Sequence, residues 1–431
     1  MTSPALHSSP NSRHRSPWQK RKTRIVCISD THNQTPKLPP GDVLIHAGDL
    51  TNQGSYDELK RAVEWLEKQS GFEVKIVVAG NHDITLDPPF YHSHGAQNWK
   101  WPTPQDPTTC RELFRSSASI TYLENETATI KLASPTGPQT CFTVFGSPCT
   151  PRQQQGNWAF QYDEHEAEDV WSKLGDGVDV VVTHTPPKGL CDSTSGMGDQ
   201  SGCPALLRRL GEVRPALSVC GHIHAGRGVE KVRWRTSTTA DNNENEPGSL
   251  VDSVEYWTDL GKGNKKLSLV DLTSTTRRPF GDAGGGLTRQ HGGSHSLEHD
   301  IGGQQQPDAA PSLLLQQQDE GPLQPRSGDE KLISTPSLSS VALQHSSEAL
   351  LRGRSEGGNA LEAQSDIGHD KATAQPQIGG CQRKGLAGIV ERNETVVINA
   401  AHLGPRVAGK ASGFNKPIVV DVELPVWSSE S

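Results

Sequence analysis

Residues 74–83 read VKIVVAGNHD, an apolar and largely β-branched run that ends in glycine, asparagine, histidine and aspartate. Four more segments have the same layout: RIVCISDTH at 24–32, VLIHAGD at 43–49, VDVVVTH at 178–184 and ALSVCGHIH at 216–224. Runs of this kind predict parallel strands that are buried on both faces. Functional residues of open α/β sheets collect at the carboxyl ends of the strands. The pattern therefore predicts that these polar side chains meet at one edge of one sheet.

Helical segments separate the predicted strands. The sequence SYDE at 55–58 has the pattern of a capping box and begins an amphipathic stretch. Further helices are predicted around 111–116, in DEHEAEDVWSKL at 163–174 and in CPALLRRLGEV at 203–213. The alternation of strand and helix indicates an α/β protein with right-handed crossovers and with helices on the sheet faces.

Composition divides the 431-residue chain into parts that can and cannot form a core. Only 32% of the residues are hydrophobic, and the mean hydropathy is -0.61, so some of the chain is expected to remain disordered. A low-complexity insertion in a surface loop adds little closure cost. The predicted organisation is a disordered basic tail at 1–23, the first part of the main domain at 24–234, an insertion at 235–392 and completing strands at 393–426.

The insertion itself is uneven. Residues 251–273 regain some order and could form a helix or a hairpin, whereas 274–386 are rich in Gly, Gln and Ser and are expected to be disordered. The last strands, TVVINAA at 395–401 and KPIVVDVEL at 416–424, are expected to complete the main domain, because a separate domain of that size would be small for independent stability.

Bulk properties exclude several classes of protein. The net charge of -8 and the lack of a basic stripe give no strong signal for nucleic acid. No apolar run approaches the length of a membrane span, and no apolar leader follows Met1. The eight cysteines contain no CxxC pair, which favours a reducing compartment. We expect a cytoplasmic protein; a nuclear location stays open because KRKTR at 20–24 could be a nuclear signal, although a solvated tail is favoured.

The polar ends of the five segments suit a site for two divalent metal ions. Such a site neutralises the charge of a phosphate ester and holds a hydroxide between the ions; it needs a bridging carboxylate, hard oxygen ligands and neutral imidazoles. Each motif alone is weak, but the ordered set after five strands is specific. The predicted ligands are Asp30, His32, Asp49, Asn81, His184, His222 and His224. The histidines outside the motifs are expected to be surface or structural residues, namely His46, His92, His94, His165 and His402.

With these motifs the chain resembles the calcineurin-like metallophosphoesterases over residues 24 to about 233 and again over about 394–424. The resemblance implies a β-sandwich flanked by helices in αββα layers, here with a long disordered insertion. It also implies roles for the site residues: Asp49 bridges the two metals, and His82 is the candidate acid for the leaving group. The implied ligands are Asp30, His32 and His224 for the first metal, and Asn81, His184 and His222 for the second.

A closer resemblance is to the small cytosolic metallophosphoesterase-domain branch of animals and fungi, which hydrolyses phosphodiesters, including cyclic nucleotides. No predicted ligand is missing, so catalytic competence is expected. The stretches that carry this resemblance are HAGDLT (46–51), AGNHDITLD (79–87), FGSP (145–148), NWAF (157–160), THTPPKGLCD (183–192), CGHIHAGRG (220–228) and INAA (398–401).

Several alternatives remain at this point. A phosphomonoesterase or protein phosphatase of the same fold is disfavoured, because GDLTNQG at 48–54 lacks the arginine of the phosphatase motif GDxxDRG. A scaffold whose insertion recruits undefined protein partners and a metal-dependent nuclease are the other candidates. The ligands suit Mn, Fe, Zn, Co or Ni alike. Asp83 is expected to make a structural hydrogen bond. Trp99, Trp101 and Trp158 could stack a nucleobase or pack beneath loops.

Overall fold

A computed structural model describes residues 19–95, 101–153, 157–194, 201–235, 250–259, 266–273, 392–407, 410–411 and 413–427. All of them belong to one structural unit. The tail at 1–18, the insertion at 274–386 and Trp99, for which the sequence makes predictions, lie outside the described residues.

The described residues contain strands from near the start of the chain to near its end. They are β1 Lys20–Ile28, β2 Val43–Ala47, β3 Val74–Val78, β4 Ile120–Tyr122, β5 Glu126–Lys131, β6 Cys141–Ser147, β7 Thr150–Pro151, β8 Gln161–Tyr162, β9 Val180–Thr183, β10 Leu217–Cys220, β11 Gly228–Trp234, β12 Val251–Tyr256, β13 Ser268–Asp271, β14 Glu394–Asn399, β15 Arg406–Val407, β16 Lys410–Ala411 and β17 Ile418–Pro425.

The helices are α1 Tyr56–Glu67, α2 Pro88–Phe90, α3 Pro107–Arg115, α4 Ala167–Ser172 and α5 Pro204–Val213. Ser55 begins α1 with a complete capping box: its hydroxyl accepts from the Glu58 backbone, and the Glu58 carboxylate accepts from the Ser55 backbone. A π-helical turn, Tyr91–Gly95, continues α2. Among the helices of the described residues, none has the length and apolar character that crossing a membrane requires.

Two sheets carry most of the strands. The first has the order β13–β17–β1–β2–β3–β4, and the second has the order β12–β11–β14–β10–β9–β6–β5. Each sheet contains one strand from the C-terminal segment. In the first sheet β17 runs antiparallel to β1, and in the second β14 runs parallel to β10.

The sheets pack face to face, and the helices cover their outer faces. In β1, Ile25 and Cys27 join a core shared with the second sheet, whereas Val26 and Ile28 pack toward α1 and α3. A third apolar cluster places α4 and α5 on the outer face of the second sheet. This alternation explains why the strands read as continuous apolar runs, because both faces of each sheet are buried. The fold is a mixed α/β arrangement of two sheets flanked by helices.

Three expectations from the sequence are corrected. The motif-bearing strands do not form one sheet, because β1, β2 and β3 lie in the first sheet and β9 and β10 in the second. A strand that is apolar on both sides shows burial but does not reveal which sheet it joins.

The N-terminal and insertion boundaries also differ. Residues 20–23 do not belong to the predicted disordered tail, because they extend β1 and pair with β17, where Lys22 and Arg24 bind Asp421 at 3.0 and 2.7 Å. The described parts of 251–273, namely 251–259 and 266–273, form neither a helix nor a hairpin: β12 joins the second sheet beside β11, and β13 joins the first sheet beside β17.

Candidate metal centre

The polar residues that follow the strands adopt unusual backbone conformations. Asp30, His32, Asp49 and His222 have φ values of 54°, 43°, 54° and 66°, in the left-handed region. Residues other than glycine rarely adopt this backbone conformation, which costs roughly 1–2 kcal/mol per residue. Such strain concentrates at functional sites, where the surrounding structure holds it in place.

Glycines allow these loops to approach one another closely. A Cβ atom at Gly80 would lie 2.2 Å from Asp49 Oδ1, and one at Gly221 would lie 2.0 Å from Ser29 Oγ and 2.2 Å from Asp30 Oδ2. The strand-end glycines therefore provide the space in which the carboxylates of Asp30 and Asp49 are held.

The first group of candidate ligands is Asp30, His32 and His224, whose ligand atoms lie within 4.8 Å of one another. His224 Nε2 is 3.3 Å from Asp30 Oδ1. The backbone N–H of His222 donates to both oxygens of Asp30 at 3.1 Å. Asp30 follows β1 of the first sheet, and His222 follows β10 of the second sheet. The contact therefore joins the ends of the two sheets and holds the Asp30 carboxylate in place.

The second group is centred on His184, which is fully buried. Its Nδ1 donates to the carbonyl oxygen of Ala47 at 2.8 Å, so that Nε2 faces the other polar residues. Nε2 lies 3.0 Å from Asn81 Oδ1, and the rings of His184 and His222 are 5.0 Å apart. Asn81, His184 and His222 are thereby brought together from both sheets.

Asp49 lies between the two groups. Its Oδ2 is 3.6 Å from His32 Nε2, and its Oδ1 is 3.3 Å from His184 Nε2. The residue is only 2% exposed. The carboxylate of Asp49 is therefore within reach of both groups of candidate ligands.

The electrostatics of the cluster favour a bound cation. Burial opposes ionisation of Asp30 and Asp49, yet the hydrogen bonds and charges of His224 and His184 hold both pKa values below the usual range. Burial also disfavours protonated His184, but Asp49 overcomes it and raises its pKa to about 9. A divalent cation supplies the same positive charge and displaces such protons from its ligands.

Two other imidazoles are already in the form that binds metal. Burial lowers the pKa of His32 and of His222 to about 3, so both rings are neutral at physiological pH. Two carboxylates, one amide oxygen and four imidazoles therefore match the chemistry of a divalent transition-metal site.

His82 lies beside the cluster and is more exposed than Asn81, the residue before it. Its backbone N–H donates to Asp49 Oδ1 at 2.9 Å, and its Nδ1 donates to the carbonyl oxygen of Asn52 at 2.9 Å. The ring contacts His32 edge-on at 4.7 Å and lies against Trp158 at 4.2 Å. The histidine is thus fixed in orientation while remaining within reach of a ligand.

Asp83 joins two of the loops, in agreement with the structural hydrogen bond expected for it. It accepts from the backbone N–H groups of Leu50, Thr51 and Gly80 and from the Thr51 hydroxyl, at 2.7–3.2 Å. Complete burial, followed by the charge of Asp49, raises the pKa of Asp83 to about 6.

Sequence reasoning missed two contacts at the centre. Gln153 Nε2 lies 3.2 Å from His222 Nε2, and the carbonyl of Asn52 orients His82. Gln153 is one of several glutamines in a polar stretch of the sequence, and every residue has a backbone carbonyl oxygen, so the sequence carries no signal for either contact. Trp158, a candidate for base stacking, lies against His82.

Comparison with known proteins gives a match to one family and to several individual proteins. A profile of the family described as calcineurin-like phosphoesterase matches residues 23–226. The probable rhamnogalacturonate lyase C of Emericella nidulans is 42% identical over 243 residues, which are 55% of this chain and 20% of that protein. Human metallophosphoesterase domain-containing protein 1 is 34% identical over 223 residues, which are 50% of this chain and 65% of that protein.

The chain therefore spans less than two thirds of the length of either relative. Among solved structures, the protein TT1561 of Thermus thermophilus has a TM-score of 0.30 and 12% identity, and the similarity covers 46% of this chain and 81% of that one.

Proposed function

Because the chain belongs over residues 23–226 to the calcineurin-like phosphoesterase family, whose members are metal-dependent phosphoester hydrolases, we propose that it hydrolyses small phosphodiesters, including cyclic nucleotides. The observation that carries the proposal is the position of Asp49, between two groups of histidines and close to both. We propose further that the centre holds two divalent ions, of Mn, Fe, Zn, Co or Ni.

When bound, the ions supply positive charge for the phosphoryl oxygens and lower the pKa of the attacking water. The chain's own residues hold and orient the reactants. Asp30, His32 and His224 would hold one ion, Asn81, His184 and His222 would hold the other, and the carboxylate of Asp49 would be shared between them.

His82 supplies the proton for the leaving group. Because Nδ1 donates to the carbonyl of Asn52, Nε2 is the ring atom free for proton exchange. The attacking oxygen loses one proton to solvent and bonds to phosphorus as the bond from phosphorus to the leaving oxygen breaks. The imidazolium form of His82 gives its Nε2 proton to that leaving oxygen and keeps the proton on Nδ1, which the carbonyl of Asn52 accepts. General acid catalysis of this kind contributes roughly 10²–10⁴ in rate.

A diester is favoured over a monoester by the loop that follows Asp49. Leu50 and Thr51 donate to Asp83, and Asn52 accepts from His82, so this loop organises the acid instead of presenting a cation. A diester carries one negative charge, and two metal ions can neutralise it without a further arginine. A small diester is the proposed partner, and the cytoplasm, or alternatively the nucleus, is the proposed location.

The test compares kcat/KM, with added Mn²⁺, for cyclic AMP, bis(p-nitrophenyl) phosphate and a phosphoserine peptide. We expect the two diesters to be preferred and chelation to abolish turnover of both. A preference for the phosphopeptide would contradict the diester proposal while retaining metal-dependent ester hydrolysis.

A further inference from the structure

A groove of about 580 Å³ lies beside the metal centre. Two contacts connect it to the centre: Trp158, which lines the groove, packs against His82 at 4.2 Å, and Gln153, which also lines it, reaches His222 at 3.2 Å. Its volume is within the range of small-molecule sites. A ligand bound at the metals can therefore extend directly into the groove.

The groove has aromatic and amide surfaces. Phe90 and His94 stack with their rings 5.2 Å apart and 21° from parallel, and Trp158 adds a third ring. Gln153 and Asn157 contribute side-chain amides. Aromatic side chains stack on planar ligand rings, and side-chain amides form hydrogen bonds with donors and acceptors at the edges of such rings.

The charged groups of the groove are already engaged. Arg152 donates to Asp163 at 2.5 Å. The carboxylate of Asp87 accepts from the backbone N–H groups of Phe90 and Phe160 at 3.0 and 2.7 Å. These contacts favour a neutral ligand over an ionic one and anchor the groove wall.

The floor of the groove is supported from below. Ile84, Tyr91 and Ala159 are buried, and the partly buried Phe90 and Trp158 pack against them. The Trp158 backbone N–H also donates to Gln161 Oε1 at 3.2 Å. The aromatic surface is consequently held in place before a ligand binds.

We propose that this groove, termed the side groove, binds the nucleoside part of a nucleotide phosphodiester whose phosphate lies at the metal centre. The inference rests on the proposed diester hydrolysis and adds to it the residues that would bind the nucleoside. A nucleoside is uncharged, its base is planar, and the edges of the base carry hydrogen-bond donors and acceptors. The side groove complements each of these properties, because its charged groups are engaged and its surface has aromatic rings and side-chain amides. Stacking of one base on aromatic side chains corresponds to roughly 5- to 150-fold in affinity.

The test uses two esters with the same leaving group: thymidine 5′-(p-nitrophenyl phosphate) and methyl p-nitrophenyl phosphate. They differ in the nucleoside alone, so the ratio of their kcat/KM values measures the contribution of the side groove. We expect His94→Ala and Asn157→Ala to lower this ratio, by up to the roughly 150-fold of a lost stacking contact for His94→Ala.

His92→Ala is the matched control, because His92 lies in the same π-helical turn as His94, is also exposed, and does not line the side groove. The ratio should be retained in this variant. An unchanged ratio in both groove variants, or a ratio near one in the unaltered protein, would overturn the inference.

A second measurement separates this inference from the proposed function. Binding of thymidine 5′-monophosphate to the Mn²⁺-loaded protein is measured by calorimetry. If neither ester is hydrolysed, the proposed function fails, and the calorimetry alone decides the groove. Weaker binding in His94→Ala than in His92→Ala supports the side groove, whereas equal binding in both variants and the unaltered protein excludes it.

Discussion

The candidate metal centre and the side groove are neighbours whose residues differ in burial. Asp30, Asp49 and His184 are 0%, 2% and 0% exposed, and each is fixed by hydrogen bonds or ion pairs to residues of other loops. The side groove is open and is lined by exposed or half-buried residues such as His94, Asn157 and Trp158. Burial gives the centre rigid geometry and strong electrostatics, whereas groove residues such as His94 and Asn157 can be changed without altering the contacts described for the candidate ligands.

The two regions also differ in their dependence on backbone geometry. The centre requires left-handed residues and glycines at the ends of buried strands, where a single added methyl group has no space. Changes in the centre should therefore abolish the chemistry, and changes in the groove should alter the choice of substrate.

The largest effect is expected from Gly221→Ala. Its Cβ would lie 2.0 Å from Ser29 Oγ and 2.2 Å from Asp30 Oδ2, so both side chains must move. Overpacking of this kind costs roughly 1–3 kcal/mol in stability. Displacement of Asp30 should also remove most metal binding and turnover, measured by calorimetry with Mn²⁺ and by diester hydrolysis.

Gly71→Ala provides the control, because a Cβ at Gly71 would meet no atom within 4 Å. It should retain both stability and metal binding. Full metal binding by Gly221→Ala would show that the centre tolerates movement and would remove the contrast with the side groove.

A smaller effect is expected from His82→Ala, at the boundary between the two regions. The variant should keep its metal ions and lose roughly 10²–10⁴ in rate on esters with poor leaving groups. With a nitrophenolate leaving group, which departs without a proton, the loss should be smaller. Equal losses on both classes of ester would contradict the role of His82 as the acid.

The smallest effect concerns Glu230, a half-buried carboxylate of β11. Burial raises the pKa of Glu230 to about 7, and its Oε2 has no hydrogen-bond partner among the described residues. The folded state therefore holds the proton more tightly than the unfolded chain. Between about pH 4.5 and pH 7, stability should fall as pH rises, by at most about 3 kcal/mol from this group.

Glu230→Gln should remove this contribution, so the variant should gain stability relative to the unaltered protein between pH 5 and pH 8. Urea unfolding at both pH values measures the difference. Glu255→Gln, on the adjacent strand and paired with Lys231 at 2.9 Å, is the control. If the difference in free energy of unfolding between Glu230→Gln and the unaltered protein is the same at pH 5 and pH 8, Glu230 is ionised in the folded protein throughout this range, which would contradict the prediction.

The sequence revealed more of the metal centre than of the side groove for a physical reason. Asp30, Asp49 and His222 follow apolar strands, and strand ends place side chains at a predictable edge. Gln153 and Asn157 lie in polar loops, whose course depends on the residues beneath them. The division of the strands between two sheets was also hidden, because burial on both faces looks the same in either sheet. The extension of β1 to Lys20 depends on Asp421, about 400 residues away in the chain.

The central claim, a dinuclear centre bridged by Asp49, is tested most directly by counting Mn²⁺ ions per chain in Asp49→Ala. Elemental analysis should find two ions in the unaltered protein, about one in His224→Ala and essentially none in Asp49→Ala, since the bridge contacts both ions. Asp176→Ala, which removes an exposed carboxylate paired with Arg209, should retain both ions. Two ions per chain in Asp49→Ala would contradict the account.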